Sequence, residues 1–147
     1  MAYNSSSLKK GRMMQSKPIL TLDDVKKIAA AAEAEALANK WAVAISIVDD
    51  GGHMLWFQRM DGAAPISSHI APAKAKTAAL GQRESRVYEE MINNGRVSFL
   101  SAPEIAGMLE GGVPIVVDGY YVGAVGVSGV KSSEDAQIAK AGIAALG

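Results

Sequence analysis

The segment from Gly111 to Gly129, GGVPIVVDGYYVGAVGVSG, constrains the fold more than any other part of this chain. It holds six glycines and a single charged residue, Asp118. A glycine in an apolar, extended run packs no side chain and loses more conformational freedom on folding than any other residue. Repeated use therefore marks turns, or places where another backbone or a ligand comes too close for a Cβ. The apolar runs on either side of Asp118-Gly119 predict two strands, about Pro114 to Val117 and Tyr121 to Val127, joined by a tight turn. Some body has to lie against that hairpin. Gly111 and Gly112 are the candidates for a ligand-facing side, and Ser128 is either a small strand-end residue or a hydroxyl offered to a ligand.

The remaining elements follow from periodicity. Thr21 is an N-cap with Asp24 three positions on, which opens a helix to about Asn39. Val25, Ile28, Ala29, Ala32 and Ala36 recur along it at helical spacing and form a narrow apolar face. From Trp41 the period falls to two. Val43, Ile45 and Ile47 share one face of a strand, and Ala44, Ser46 and Val48 share the other. Asp49-Asp50-Gly51-Gly52 is a turn and His53 to Met60 the returning strand. A second helix lies within Ile66 to Gln82. Pro72 fits best in a first turn, which predicts a start near His69. A short helix spans Ser85 to Asn93 and stops at Asn94-Gly95. Val97 to Glu110 is irregular with one helical turn. Ser132 with Asp135 caps a last helix through Leu146. Sequential hairpins flanked by helices predict a single α+β domain with an antiparallel sheet rather than a parallel βαβ fold.

Composition narrows the function. The chain has 147 residues, with Lys plus Arg equal to Asp plus Glu at 15 each, so no net field steers it toward nucleic acid or an anionic membrane. Cysteine is absent, which excludes disulfides, thiolate nucleophiles and cysteine-ligated metal centres. No apolar run is long enough to span a membrane, and the first 17 residues lack the apolar core of a signal peptide. Residues 1–17 are expected to be a disordered extension, with Met14 a conceivable start of a shorter product, and residues 18–147 the domain, placed in the cytoplasm.

Phosphate loops, dinucleotide fingerprints and nucleophile elbows are missing. His53 and His69 are the only histidines, 16 positions apart, too few and too poorly spaced for a three-histidine metal site, and no metal is expected. The polar group most suggestive of chemistry is Arg59, Asp61, Lys74 and Thr77. Lys74 and Thr77 share a helix face, while Arg59 and Asp61 sit where the first hairpin ends. Arg59 and Lys74 suit a carboxylate, with Thr77 as a neutral oxygen donor. The plainer reading is a local Arg59–Asp61 pair and lysines on a solvated helix face.

Four segments taken in order, VDDGGHMLWFQRMDGA (48–63), AKAKTAAL (73–80), the glycine-rich 111–129 run and DAQIAKAG (135–142), resemble the GlcG/HbpS-like family, which includes the C-terminal domain of PduO-type proteins. The resemblance implies a profilin-like fold, an antiparallel sheet with helices on both sides, usually in a homo-oligomer. It also implies a small-molecule ligand, with haem as the named candidate, in relatives that accompany catabolic systems. On that reading Thr77 lies near the cofactor, Lys74 or Arg59 pairs with a propionate, and His53, Met54 and Met60 are alternative iron ligands. Gly111, Gly112 and Ser128 complete the expected binding set. The competing expectation is a cofactor-independent lyase, isomerase or tautomerase acting on a small carboxylated catabolite. There Arg59 and Lys74 would hold the carboxylate and His53 or Asp61 would move a proton.

Overall fold

Thr21 opens α1 (Leu22–Ala38) through a full capping box: its hydroxyl accepts from the Asp24 N–H at 3.2 Å, and the Asp24 carboxylate accepts from the Thr21 N–H at 2.9 Å. The five predicted apolar positions, Val25 to Ala36, are the buried residues of this helix. The computed structural model describes residues 13–147, so the first twelve positions of the expected N-terminal extension lie outside the described residues. Residues 13–17 are neither helix nor strand, and Lys17 forms an ion pair with Asp50.

Two hairpins follow, β1 (Ala44–Asp49) with β2 (Met54–Arg59) and β3 (Gly112–Val117) with β4 (Tyr120–Ser128). They join through β1 and β4 into one antiparallel sheet of order β2-β1-β4-β3. A bulge between Ile47 and Val48 leaves Leu55 unpaired in β2. The α+β class, the antiparallel sheet with helices on both faces and the single domain all stand as expected.

Both faces of the sheet are covered. α1 and α4 (Ser132–Ala144) pack over one face, where Ile28, Ile45, Ile47, Ile115 and Ile138 are fully buried. Each such side chain contributes roughly 1.5–3 kcal/mol of transfer free energy. α2 (Ser67–Gly81) covers the other face, where Val48, Ala75, Ala78, Ala79 and Ala124 form a smaller cluster. α3 (Ser85–Asn93) and a 3-10 turn (Val97–Ser101) follow at its end.

The body lying against the glycine-rich hairpin is α2. Gly112 and Gly126 are direct cross-strand partners, and a Cβ on either would overlap α2 backbone, the Lys74 carbonyl in one case and the Ala71 carbonyl in the other. The helix axis therefore sits closer to the sheet than any side chain would allow.

Two boundaries differ from expectation. α2 begins at Ser67, not near His69, which puts Pro72 in the second turn, where it deprives the Ser68 carbonyl of its helical donor. The first turn is tightened by i→i+3 bonds from Ser67, Ser68 and His69 to Ala64, Pro65 and Ile66. At α4 the capping residue is Lys131, whose N–H donates to Glu134 at 3.2 Å, so Ser132 is the first helical residue and Asp135 is free for another task.

Gly126→Ala is expected to destabilise the fold by about 3 kcal/mol or more, at or above the usual upper end for overpacking, because the clash is with backbone rather than a movable side chain. Gly119→Asn, in the open turn where a Cβ meets nothing within 4 Å, should change stability little, since asparagine tolerates its φ of +80°. Urea denaturation of both variants checks the contrast.

Candidate functional site

The sequence-selected residues separate into an inward group and an outward group. Lys74 is inward: its side chain runs beneath Gly111, where an added Cβ would stand 2.7 Å from Nζ. Nζ donates to the Val127 carbonyl at 3.0 Å and to Asp135 Oδ2 at 3.1 Å, with both side chains almost wholly buried. The other Asp135 oxygen accepts from the Val130 N–H at 3.1 Å. Burial pushes the Asp135 carboxyl above its ordinary value, while Lys74 and the Val130 N–H pull it back. Thr77 is fully buried and accepts from the Gly107 N–H at 3.1 Å.

This geometry corrects several expectations within the protomer. Lys74 is committed to Asp135 rather than presented to a propionate or carboxylate, and Thr77 satisfies a loop N–H rather than facing a cofactor. Gly111 and Gly112 lie under α2 and the Lys74 side chain instead of lining an open cavity. Ser128 is buried at the end of β4, opposite Ala44. Asp135, assigned from sequence to a helix cap, is the functional partner of Lys74. No local signal reveals it, because the two positions are 61 residues apart.

His53, Arg59 and Asp61 face outward. His53 precedes β2 and Arg59 ends it, so their Cα atoms lie about 20 Å apart at ~3.3 Å per residue. The His53 ring nitrogen Nδ1 sits 3.1 Å from Asp49 Oδ1 and 3.3 Å from Oδ2. Asp49 Oδ1 also accepts from the Gly51 N–H at 2.9 Å and the His53 N–H at 3.0 Å. Partial burial works to raise the Asp49 carboxyl; the bonds from the His53 and Gly51 backbone and the His53 ring outweigh it and hold it below its ordinary value. Sequence reasoning gave Asp49 only a turn role, although its i,i+4 spacing from His53 across a glycine turn was a usable signal.

Arg59 makes no ion pair among the described residues, and its Nη1 donates to Ser68 Oγ at 3.4 Å. With Gln58, Met60 and Asp61 it lines an open groove of about 480 Å3 whose other wall is Glu33 and Leu37 of α1. Met54, Phe57 and Arg59 pair with Val48, Ser46 and Ala44, so they share the sheet face that carries α2. Unlike the strands under the helix, this edge leaves Met54 54% and Phe57 37% exposed, and Leu80 of α2 is 41% exposed. Among the described residues, no three His, Cys, Asp or Glu side chains cluster in a way that would hold a metal ion. No described helix is long and apolar enough to cross a membrane.

The family described as "Haem degrading protein HbpS-like" matches residues 20–144. The chain is 54% identical over 115 residues to Protein GlcG of Escherichia coli strain K12, an alignment covering 78% of this chain and 85% of GlcG. Among solved structures it is similar to HbpS, at 30% identity and a TM-score of 0.84, covering 95% of this chain and 99% of that one. It is also similar to PduOC solved as a haem complex, at 28% identity and a TM-score of 0.81, covering 87% and 95%.

Removing one member of the inward pair should report on folding. Lys74→Met is expected to cost roughly 3–5 kcal/mol by leaving a buried carboxylate unpaired. Lys74→Met with Asp135→Asn should recover much of that, because asparagine still accepts from the Val130 N–H. Chemical denaturation of the two variants tests this, and a loss under about 1 kcal/mol for Lys74→Met would count against a paired buried charge.

Proposed function

The chain belongs to the HbpS-like family, and from that premise we propose that it is a haem-binding protein whose ligand lies along the exposed edge of the sheet. The observation that carries the reading is the outer face of β2. It offers an apolar surface in Met54 and Phe57, an uncommitted cation in Arg59, and outward-facing donor atoms at His53 and Met54. An exposed apolar edge strand is costly and aggregation-prone unless something covers it. Haem needs an apolar wall, a cation for its propionates and a nitrogen or sulfur ligand, and the donor chemistry here fits that set. The similar PduOC structure with haem supports the same reading.

Bound haem would supply a redox-active iron. The chain's own part is to exclude water from one face of the macrocycle with Met54 and Phe57 and to orient a propionate with Arg59. Lys74 and Thr77 act at one remove, by seating α2 against the sheet. A homo-oligomer, in which a second subunit covers the other face, is compatible with this exposed edge and is part of the proposal.

The competing reading, a cofactor-independent lyase, isomerase or tautomerase, requires His53, Arg59, Asp61 and Lys74 around one small substrate. Their separation along β2 and the burial of Lys74 remove that constellation, and no observation favours it.

Titration of the purified protein with haemin should give saturable binding at one per protomer with a Soret shift. Arg59→Ala should weaken affinity by about tenfold, the scale of one charge-assisted contact near 1.4 kcal/mol, and Phe57→Ser should do so by at least as much. Featureless, substoichiometric binding would overturn the reading.

A further inference from the structure

We propose that His53 is the iron ligand of this site and that Asp49 is its positioning residue, an inference that rests on the haem reading. The β1–β2 turn is already closed by Asp49 Oδ1 accepting from the Gly51 and His53 N–H groups. Any residue at position 53 would donate that N–H, so the turn itself does not require an imidazole. The ring nevertheless docks Nδ1 on the same carboxylate, within 3.1 and 3.3 Å of its two oxygens.

A carboxylate only accepts hydrogen bonds, so Nδ1 carries the proton and Nε2 keeps its lone pair. The side chain is 81% exposed, which leaves Nε2 open to a ligand. An imidazole whose rear N–H is held by a carboxylate is the arrangement that fixes tautomer and orientation at metal centres and raises ligand basicity. The carboxylate is itself anchored by backbone donors, so the ring is held by a rigid element rather than by another mobile side chain.

The other candidate donors are worse placed. Thr77 is fully buried with its oxygen engaged by the Gly107 N–H. Met60 packs against the main core cluster. Met54 is exposed and adjacent, but nothing orients its thioether, and it serves better as apolar wall beside the ligand. Ligation is a simple coordination step: the neutral Nε2 donates its lone pair to the iron, displacing a water, with no change in oxidation state and no proton released.

The test uses the full chain with haemin. The wild-type complex should show the ferric absorption and paramagnetic resonance signature of imidazole ligation. His53→Ala should lose that signature and regain it on addition of free imidazole. Asp49→Asn, which can still accept the two turn N–H bonds, should keep the ligand but weaken haemin affinity by about 10–100-fold and move the ferric/ferrous midpoint upward. Circular dichroism establishes that both variants are folded. Saturable binding with an unaltered spectrum in His53→Ala would overturn this inference and leave the haem reading standing. An unchanged affinity and midpoint in Asp49→Asn would overturn the positioning role. Failure of the wild type to bind haemin saturably would overturn the haem reading, and the ligand assignment with it.

Discussion

The backbone-to-backbone approach of α2 to the β3–β4 hairpin is the contact on which the rest of the structure depends. Because Gly112 and Gly126 face each other across two strands, they open one shallow seat rather than two separate gaps. With no Cβ in that seat, α2 is close enough for Ala71, Ala75 and Ala78 to be fully buried, which larger residues could not be at this spacing. The same depth sets the path of Lys74 beneath Gly111 and brings Thr77 to the Gly107 N–H. It also places Ser85, at the start of α3, where its hydroxyl accepts from the Gly112 N–H at 2.8 Å and donates to the Leu109 carbonyl at 2.5 Å. One steric permission in the sheet thus locates two helices and a loop.

The Lys74–Asp135 pair adds direction to that contact. It ties α2 on one face of the sheet to α4 on the other, around the end of β4 at Val127 and Val130. Desolvating two charges is expensive, and the Coulomb gain of a buried pair often only offsets it. Its consequence here is geometric: the ammonium and the carboxylate are satisfied only when both helices hold their present positions. Apolar contacts among alanines would tolerate a small slide of α2; the pair does not.

Much of this was legible in the chain. The apolar face of α1 is visible as five residues at helical spacing. The two faces of β1 are visible as Val43, Ile45, Ile47 against Ala44, Ser46, Val48, because a strand's period of two sorts side chains without reference to anything distant. The glycine-rich segment correctly required a close-lying body. Its identity was not legible, since a Cβ-free wall accepts a helix and a ligand equally well. Pro72 misplaced the start of α2 because a local rule about hydrogen bonding was outweighed by packing of Ala71 on the sheet. The polar residues were hardest. Lys74 and Lys76 sit two apart on one helix and look alike in sequence, yet one is buried against Asp135 and the other pairs on the surface with Glu104. Which of them faces inward depends on how α2 rolls on the sheet, and Gly112 and Gly126 set that roll from a distant part of the chain.

The division between inward and outward polar groups bears on how ligand chemistry is arranged on this fold. A residue that ties helices together is held to its geometry by stability, so Lys74, Thr77 and Asp135 cannot drift toward a ligand without loosening the layers. The β2 edge is under no such hold. Its outer backbone groups have no neighbouring strand, and the exposed side chains of Met54 and Phe57 and the guanidinium of Arg59 have no internal duty that fixes them. His53 stands between the two regimes: its backbone and Nδ1 are fixed by Asp49 at the end of a central strand, while Nε2 is open. A ligand atom bound there would be positioned by the sheet itself, and the apolar surface along β2 would determine how large a ligand that position can carry.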